Sequence, residues 1–190
     1  MKWIFVFWLI CSLLWGTPGV LAQSLAPALD QISNNLLVEG EEYWSQMIED
    51  LTKRIKLNPE DVELYNQRGI AQSKLRKWDL ALSDYQKAVE LDPNSQLALT
   101  NQSLVLFELG KNEEALKSLQ EIVRKYPMLS DARAALTALL WYSGYQGEAE
   151  SNWVSAVGLD QRYGDPNWVA NTKNWPPKIV AALDQFINFN

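Results

Sequence analysis

Asp61-Val62-Glu63-Leu64-Tyr65-Asn66-Gln67-Arg68-Gly69, running on through Ala81 and Tyr85 to Ala88-Val89-Glu90-Leu91-Asp92-Pro93, decides the fold. Its landmarks recur along the chain. Pro59, Pro93 and Pro127 stand 34 residues apart, as do Ala81, Ala115 and Ala149. Tyr85, Leu119 and Trp153 form a third series with the same period of 34. Series that share one period mark a repeat, in which each unit buries its apolar face against its neighbours. The apolar spacing within each unit is helical. It predicts helices over 62–75 and 78–91, 96–109 and 112–125, and 130–143 and 146–158. Gly69 and Ala81 are small where the two helices of a unit cross, and Tyr85 fills the space beside them. Asp92-Pro93 ends a helix because proline cannot continue the hydrogen-bond ladder. Gly110 suits the turn between two helices, where a positive φ is cheap for glycine.

This pattern resembles the tetratricopeptide repeat, with Tyr65, Gly69, Ala81, Tyr85 and Pro93 on its landmark positions. Arg68 and Gln72 depart from the leucine and tyrosine of that pattern. The second unit matches with Leu99, Ser103, Leu106, Ala115, Leu119 and Pro127, and the third with Leu136, Leu140, Ala149, Trp153 and Ala156. Asp160-Gln161 replaces the closing proline, so the array is expected to end there. The resemblance implies an all-α, right-handed superhelix of helical hairpins across about three repeats, residues 59–161. It also implies a protein or peptide partner held on the concave face, and no catalytic residues.

The flanks divide accordingly. Residues 23–58 read as a degenerate leading half repeat. Tyr43, Trp44, Met47, Ile48, Leu51 and Ile55 place a helix over 41–57, and Gly40 is an expected break before it. Residues 162–190 read as a capping segment. Asp165 and Pro166 signal a helix start. Trp175-Pro176-Pro177 forms an elbow, and Ile179, Val180, Leu183, Phe186 and Ile187 share one face of a final helix. A solenoid needs such an element over its last apolar face. Trp168 and Trp175 are the candidates for a docking surface there, since aromatic residues concentrate at interfaces.

The first 22 residues read as an address. Lys2 precedes a 13-residue apolar run from Trp3 to Trp15, and Val20-Leu21-Ala22 supplies a small-residue exit. These are the parts of a secretory signal peptide. An uncleaved anchor is the alternative, because no charge follows Lys2 before Asp30. The chain's single cysteine, Cys11, lies inside that run. Cleavage would leave a mature protein without a disulfide. The blocks Arg124–Met128, Ala134–Trp141, Gly147–Trp153 and Trp175–Pro177 resemble tetratricopeptide proteins associated with thylakoids in cyanobacteria and chloroplasts. That resemblance implies an exported setting, thylakoid lumen or periplasm, and a role in assembling or maintaining a membrane complex. A stoichiometric structural subunit is the alternative.

Composition excludes much chemistry. The 190 residues contain no histidine, which removes Ser-His-Asp and Cys-His systems and histidine-ligated metals. A formal charge of −6 opposes nucleic-acid binding. The carboxylates Asp79, Asp84, Glu90 and Asp92 lack the spacing of a calcium loop. No cofactor, metal or catalytic residue is therefore expected, and an acid-base enzyme using paired carboxylates has almost no support. The candidate site is the concave groove, lined by Asn66, Ile70 and Lys74, then Asn101, Leu104 and Phe107, then Trp141 and Tyr142. The lysines that would grip a terminal carboxylate are mostly missing. The groove's apolar C-terminal half fits an apolar helix or extended segment of a membrane-complex subunit. A competing reading has Leu104, Phe107 and Trp141 pack against the chain's own C-terminal segment. The negative charge also opposes direct adsorption to anionic lipid, which leaves membrane association to a partner or a retained leader.

Overall fold

The structure is a computed structural model that describes residues 18–189. Most of the expected leader, including Cys11, lies outside the described residues. The described residues divide between two compact units, with residues up to Tyr43 in the first and Trp44 onward in the second. The first helix, α1 (Pro18–Leu57), begins in one and ends in the other. The break expected at Gly40 does not occur. Gly40 is helical, and an added Cβ there would meet nothing within 4 Å, so neither turn geometry nor close packing calls for glycine.

The second unit is an array of helical hairpins: α2 (Val62–Lys74) with α3 (Trp78–Leu91), α4 (Gln96–Glu108) with α5 (Asn112–Lys125), and α6 (Ser130–Tyr142) with α7 (Gln146–Leu159). These bounds agree with the periodicity to within a residue. A 3₁₀ turn (Gln161–Gly164), α8 (Pro166–Asn171) and α9 (Pro177–Phe189) follow. Among the described residues every regular element is helical, and none is long and apolar enough to cross a membrane.

Both turn types repeat with the same period. After each first helix the Schellman pattern closes the chain: Lys77 N–H to Gln72 C=O, Lys111 N–H to Leu106 C=O and Tyr145 N–H to Leu140 C=O, each 2.9 Å. That pattern needs a left-handed residue one position earlier. Gly110 (φ 78°) and Gly144 (φ 83°) supply it cheaply, while the first repeat places Arg76 there (φ 55°). After the second helices the chain turns through Asp92, Tyr126 and Asp160, whose carbonyls accept from Ser95, Leu129 and Tyr163. The turn at Asp160 therefore survives the loss of the proline. Asp61, Ser95 and Asp165 cap α2, α4 and α8 with their side chains.

Within each hairpin the crossing is tuned by size. Gly69 lies under the Tyr85 ring, and an added Cβ would come 2.6 Å from Tyr85 Cε1. The matching position holds Ser103 in the second repeat, whose hydroxyl is 2.8 Å from that of Ser118. It holds Thr137 in the third, where the hydroxyl donates to its own helix at Arg133 C=O. The departure at Arg68 has a partner. Its guanidinium donates to both Asp84 carboxylate oxygens, at 2.7 and 2.6 Å, and to Thr52 Oγ1 at 3.1 Å. It thus ties the C-terminal part of α1 to α2 and α3. There Leu51 and Ile55 join Leu64, Tyr65, Ala88 and Ala98 in an apolar cluster.

Candidate functional site

The first helices of the hairpins, α2, α4 and α6, line one face of the array. Amphipathic helices leave one face to solvent, but α6 does not. Every residue from Ala134 to Leu140 is buried, because α6 is covered by α4, α5, α7 and also by α9. Its alanines, at 132, 134, 135 and 138, let those neighbours approach closely.

The C-terminal segment lies in the groove. The final helix, α9, packs chiefly on α6 and also on α4 and α8. It buries Ile179, Ala182, Leu183 and Phe186, spaced as one helical stripe. Phe186 meets Trp141 edge-on at 5.6 Å and Trp153 at 5.4 Å, and Phe189 lies tilted against Trp141 at 4.8 Å. The expected capping segment therefore lies chiefly on the inner face, while its 3₁₀ turn and Phe186 also reach α7. On α7 only Ala149 and Ala156 are fully buried, and Val154 is open to solvent.

A reciprocal pair of caps holds the start of α9. Glu108, at the end of α4, accepts the Lys178 backbone N–H at 2.6 Å, on the first turn of α9. Lys178 Nζ returns the contact, donating to Phe107 C=O at 2.6 Å and Asn112 Oδ1 at 3.2 Å. A carboxylate thus meets a helix N-terminus while an ammonium meets a C-terminus, each on the favourable side of the helix dipole. The ammonium also sits 3.8 Å from the Phe107 ring centroid and 5.0 Å from that of Tyr142. Burial pushes the Glu108 carboxyl above its usual range, opposed by the N–H groups of Lys178 and Ile179. Burial likewise lowers Lys178, opposed by Glu108. Two further ties hold the segment ahead of α9. Lys74 Nζ donates to Ala170 C=O at 3.0 Å, and Lys173 pairs with Asp131 at 2.8 Å.

The expected groove residues separate on this geometry. Leu104 and Phe107 are buried, and Phe107 packs edge-on against Tyr142 at 4.9 Å. Asn101 Nδ2 donates to Asn66 Oδ1 at 3.1 Å in a buried pair. Ile70 packs against the core, and burial lowers the pKa of Lys74. Trp141 is half-buried under α9, and Tyr142 remains exposed. The docking surface expected at Trp168 and Trp175 is not formed as such. Trp175 is buried, its ring 5.7 Å from the fully buried Tyr163, so it serves the core. Trp168 is half-buried, with Tyr163 on its edge and the Arg162 guanidinium 4.6 Å from its centroid. The residue that sequence reasoning missed is Lys178. Its signal was present: α9 carries only two charged residues, Lys178 and Asp184, in a mostly apolar helix. Among the described residues no three or more metal-ligating side chains gather.

Comparison with known proteins agrees with this architecture. The tetratricopeptide repeat profile matches residues 62–95, and a second tetratricopeptide profile matches 84–117. The chain is similar to the human mitochondrial import receptor subunit TOM70, at 22% identity over 140 residues. That match takes in 67% of this chain and 23% of the relative, so the chain spans about a quarter of its length. Among solved structures it resembles MamA of Desulfovibrio magneticus RS-1, with a TM-score of 0.55 and 18% identity over 83% of this chain and 93% of that one. YrrB, a tetratricopeptide protein described as having an unusual peptide-binding site, gives a TM-score of 0.53 and 21% identity over 82% of each chain. Residues 62–117 are tetratricopeptide repeats, and the chain folds as the helical-hairpin superhelix of that repeat.

Proposed function

We propose that this protein is a non-enzymatic binding module that holds a protein partner on its concave face, on the exported side of a membrane. The observation that carries the reading is that face itself. Two adjacent first helices, α4 and α6, present Leu104, Phe107, alanines of α6 and Trp141 as one apolar floor, and a helix already lies along it. Helix-in-groove recognition uses such a surface. The partner is an apolar helix or extended segment of a membrane-complex subunit, and the role is assembly or maintenance of that complex. Lys2 and the apolar run to Trp15 support export, to a thylakoid lumen or periplasm. Membrane association then comes through the partner or a retained leader.

Crosslinking in native membranes followed by mass spectrometry tests the reading. An assembly factor is expected to crosslink to a subunit in immature complexes, below the complex's own abundance. Recovery at equal amounts with the mature complex points to a structural subunit instead. Recovery without any protein partner would sink the binding-module reading. N-terminal sequencing of the mature chain tests export, with Gln23 as the expected first residue. A detergent-extracted chain that still begins at Met1 would establish the anchor.

A further inference from the structure

The contacts of α9 go beyond a groove that accepts some helix, because they specify which kind. We propose that α9 is an internal ligand of the concave face, and that the partner is an amphipathic helix of the same chemistry that takes its place. This rests on the binding-module reading and names the ligand class for it. The ligand begins with a proline-lysine turn and continues with apolar side chains spaced like Ile179, Ala182, Leu183 and Phe186.

The helix α9 belongs to none of the three hairpins and lies across the first helices α6 and α4 of two of them. Each repeat helix is fixed to its neighbours by a short turn closed by backbone hydrogen bonds. The link into α9, Thr172–Pro176, is itself a closed turn: Lys173 N–H donates to Trp168 C=O, Trp175 N–H donates to Val169 C=O, and Asn174 takes φ 60°. Trp175, packed on Tyr163, is the last anchored side chain before Pro177, the first residue of α9. The polar contacts on α9's first turn, from Glu108, Phe107 C=O and Asn112, come from groups that an incoming Pro-Lys helix start would meet in the same way. The aromatic pocket of Trp141 and Trp153 receives one side chain, Phe186, two turns further on. This is a two-point recognition site: a charge-capped start and a buried aromatic anchor.

A tethered helix competes with a free one at the high effective concentration its linker imposes. The test therefore compares full-length chains. The probe is a fluorescent synthetic peptide of residues 175–190, and the opened chain carries Lys178→Ala and Phe186→Ala in its own α9, leaving the groove untouched. The opened chain is expected to bind the peptide at least about tenfold more tightly than the parent chain. Adding Glu108→Ala to the opened chain, or removing the peptide's lysine, should each reverse much of that gain. Hydrogen exchange on the parent chain supplies the second readout, with α9 amides exchanging well ahead of those in α4 and α6. Equal peptide binding by both chains, or α9 amides that exchange together with α6, would overturn the proposal by making α9 a fixed part of the core. Peptide-sized exchange between intact copies, seen as a concentration-dependent dimer of the parent chain, would overturn the partner in favour of a second copy. Those failures leave the binding-module reading standing if the membrane crosslink is still found. Loss of that crosslink from both parent and opened chains removes the reading itself.

Discussion

Asp84→Ala is the most informative single change to the scaffold. In the parent chain Asp84 is almost wholly buried, with 6% of its side chain exposed, and both its oxygens receive Arg68. Removing one member of a buried pair costs about 3–5 kcal/mol, because the surviving charge loses its compensation. Arg68 keeps 19% of its side-chain surface in water, so the cost falls at the lower end, about 3 kcal/mol. At roughly 2–4 °C per kcal/mol for a chain of this size, the melting temperature should fall by about 6–12 °C. Arg68→Leu restores the residue usual at this place in the repeat but strands the more deeply buried Asp84, and should cost somewhat more. Thr52 loses little in either case, since its hydroxyl donates to Ile48 C=O at 2.7 Å. The double variant leaves no unpaired charge and should recover most of the loss, so the coupling energy should exceed either single loss. Urea titration followed by circular dichroism measures all four corners of the cycle. A single-variant loss below about 1 kcal/mol, the range of an exposed pair, would refute the reasoning. So would a double variant no more stable than the singles.

Other outcomes follow from the same structure. Gly69→Ala should destabilise by about 1–3 kcal/mol in the same titration, because the new methyl must displace the buried Tyr85 ring. Arg76→Gly should stabilise by about 0.5–1 kcal/mol, the relief of a left-handed residue less the added freedom of the unfolded chain. Phe107→Ala should cost about 3–5 kcal/mol in denaturant, since the ring is fully buried; an unchanged midpoint would show that it is not core. Glu108 titrates above its ordinary value near 4.5 in the folded chain. The folded state therefore holds its proton more tightly, and its stabilising contribution is present below that ordinary value and lost as pH rises through the raised one. The stability of the parent relative to Glu108→Gln should fall as pH rises above the ordinary carboxyl value, and a rise would reverse the assignment.

The helices were legible because a period of 34 residues fixes both where each begins and which residues face its neighbour. Turn chemistry was legible too, at Gly110 and at Asp92-Pro93. The groove's occupancy was not. Periodicity identifies α9's apolar stripe, Ile179 to Phe186, but not which apolar surface it meets, and both the inner face and the end of the array were available. The choice turns on Lys178 and Glu108, which are 70 residues apart and become partners only after folding. Arg68 shows the opposite situation. Its departure from leucine was visible in the sequence, but the answering residue, Asp84, lies across the hairpin at a position that is Ser118 and Asn152 in the later repeats. Trp175 was misplaced on the surface because an aromatic beside two prolines has the same composition in an exposed elbow as in a buried one.

The order of the helices along the chain also sets an order in time. The groove is complete once α6 has been made at Tyr142, and its cover begins at Pro177, some 35 residues later. At synthesis rates of about 5–20 residues per second, that leaves roughly 2–7 seconds. During that interval the apolar floor of α4 and α6 has no helix of its own chain to lie against. A partner or chaperone that meets the growing polypeptide then has the groove to itself, whereas one that arrives later must contend with α9.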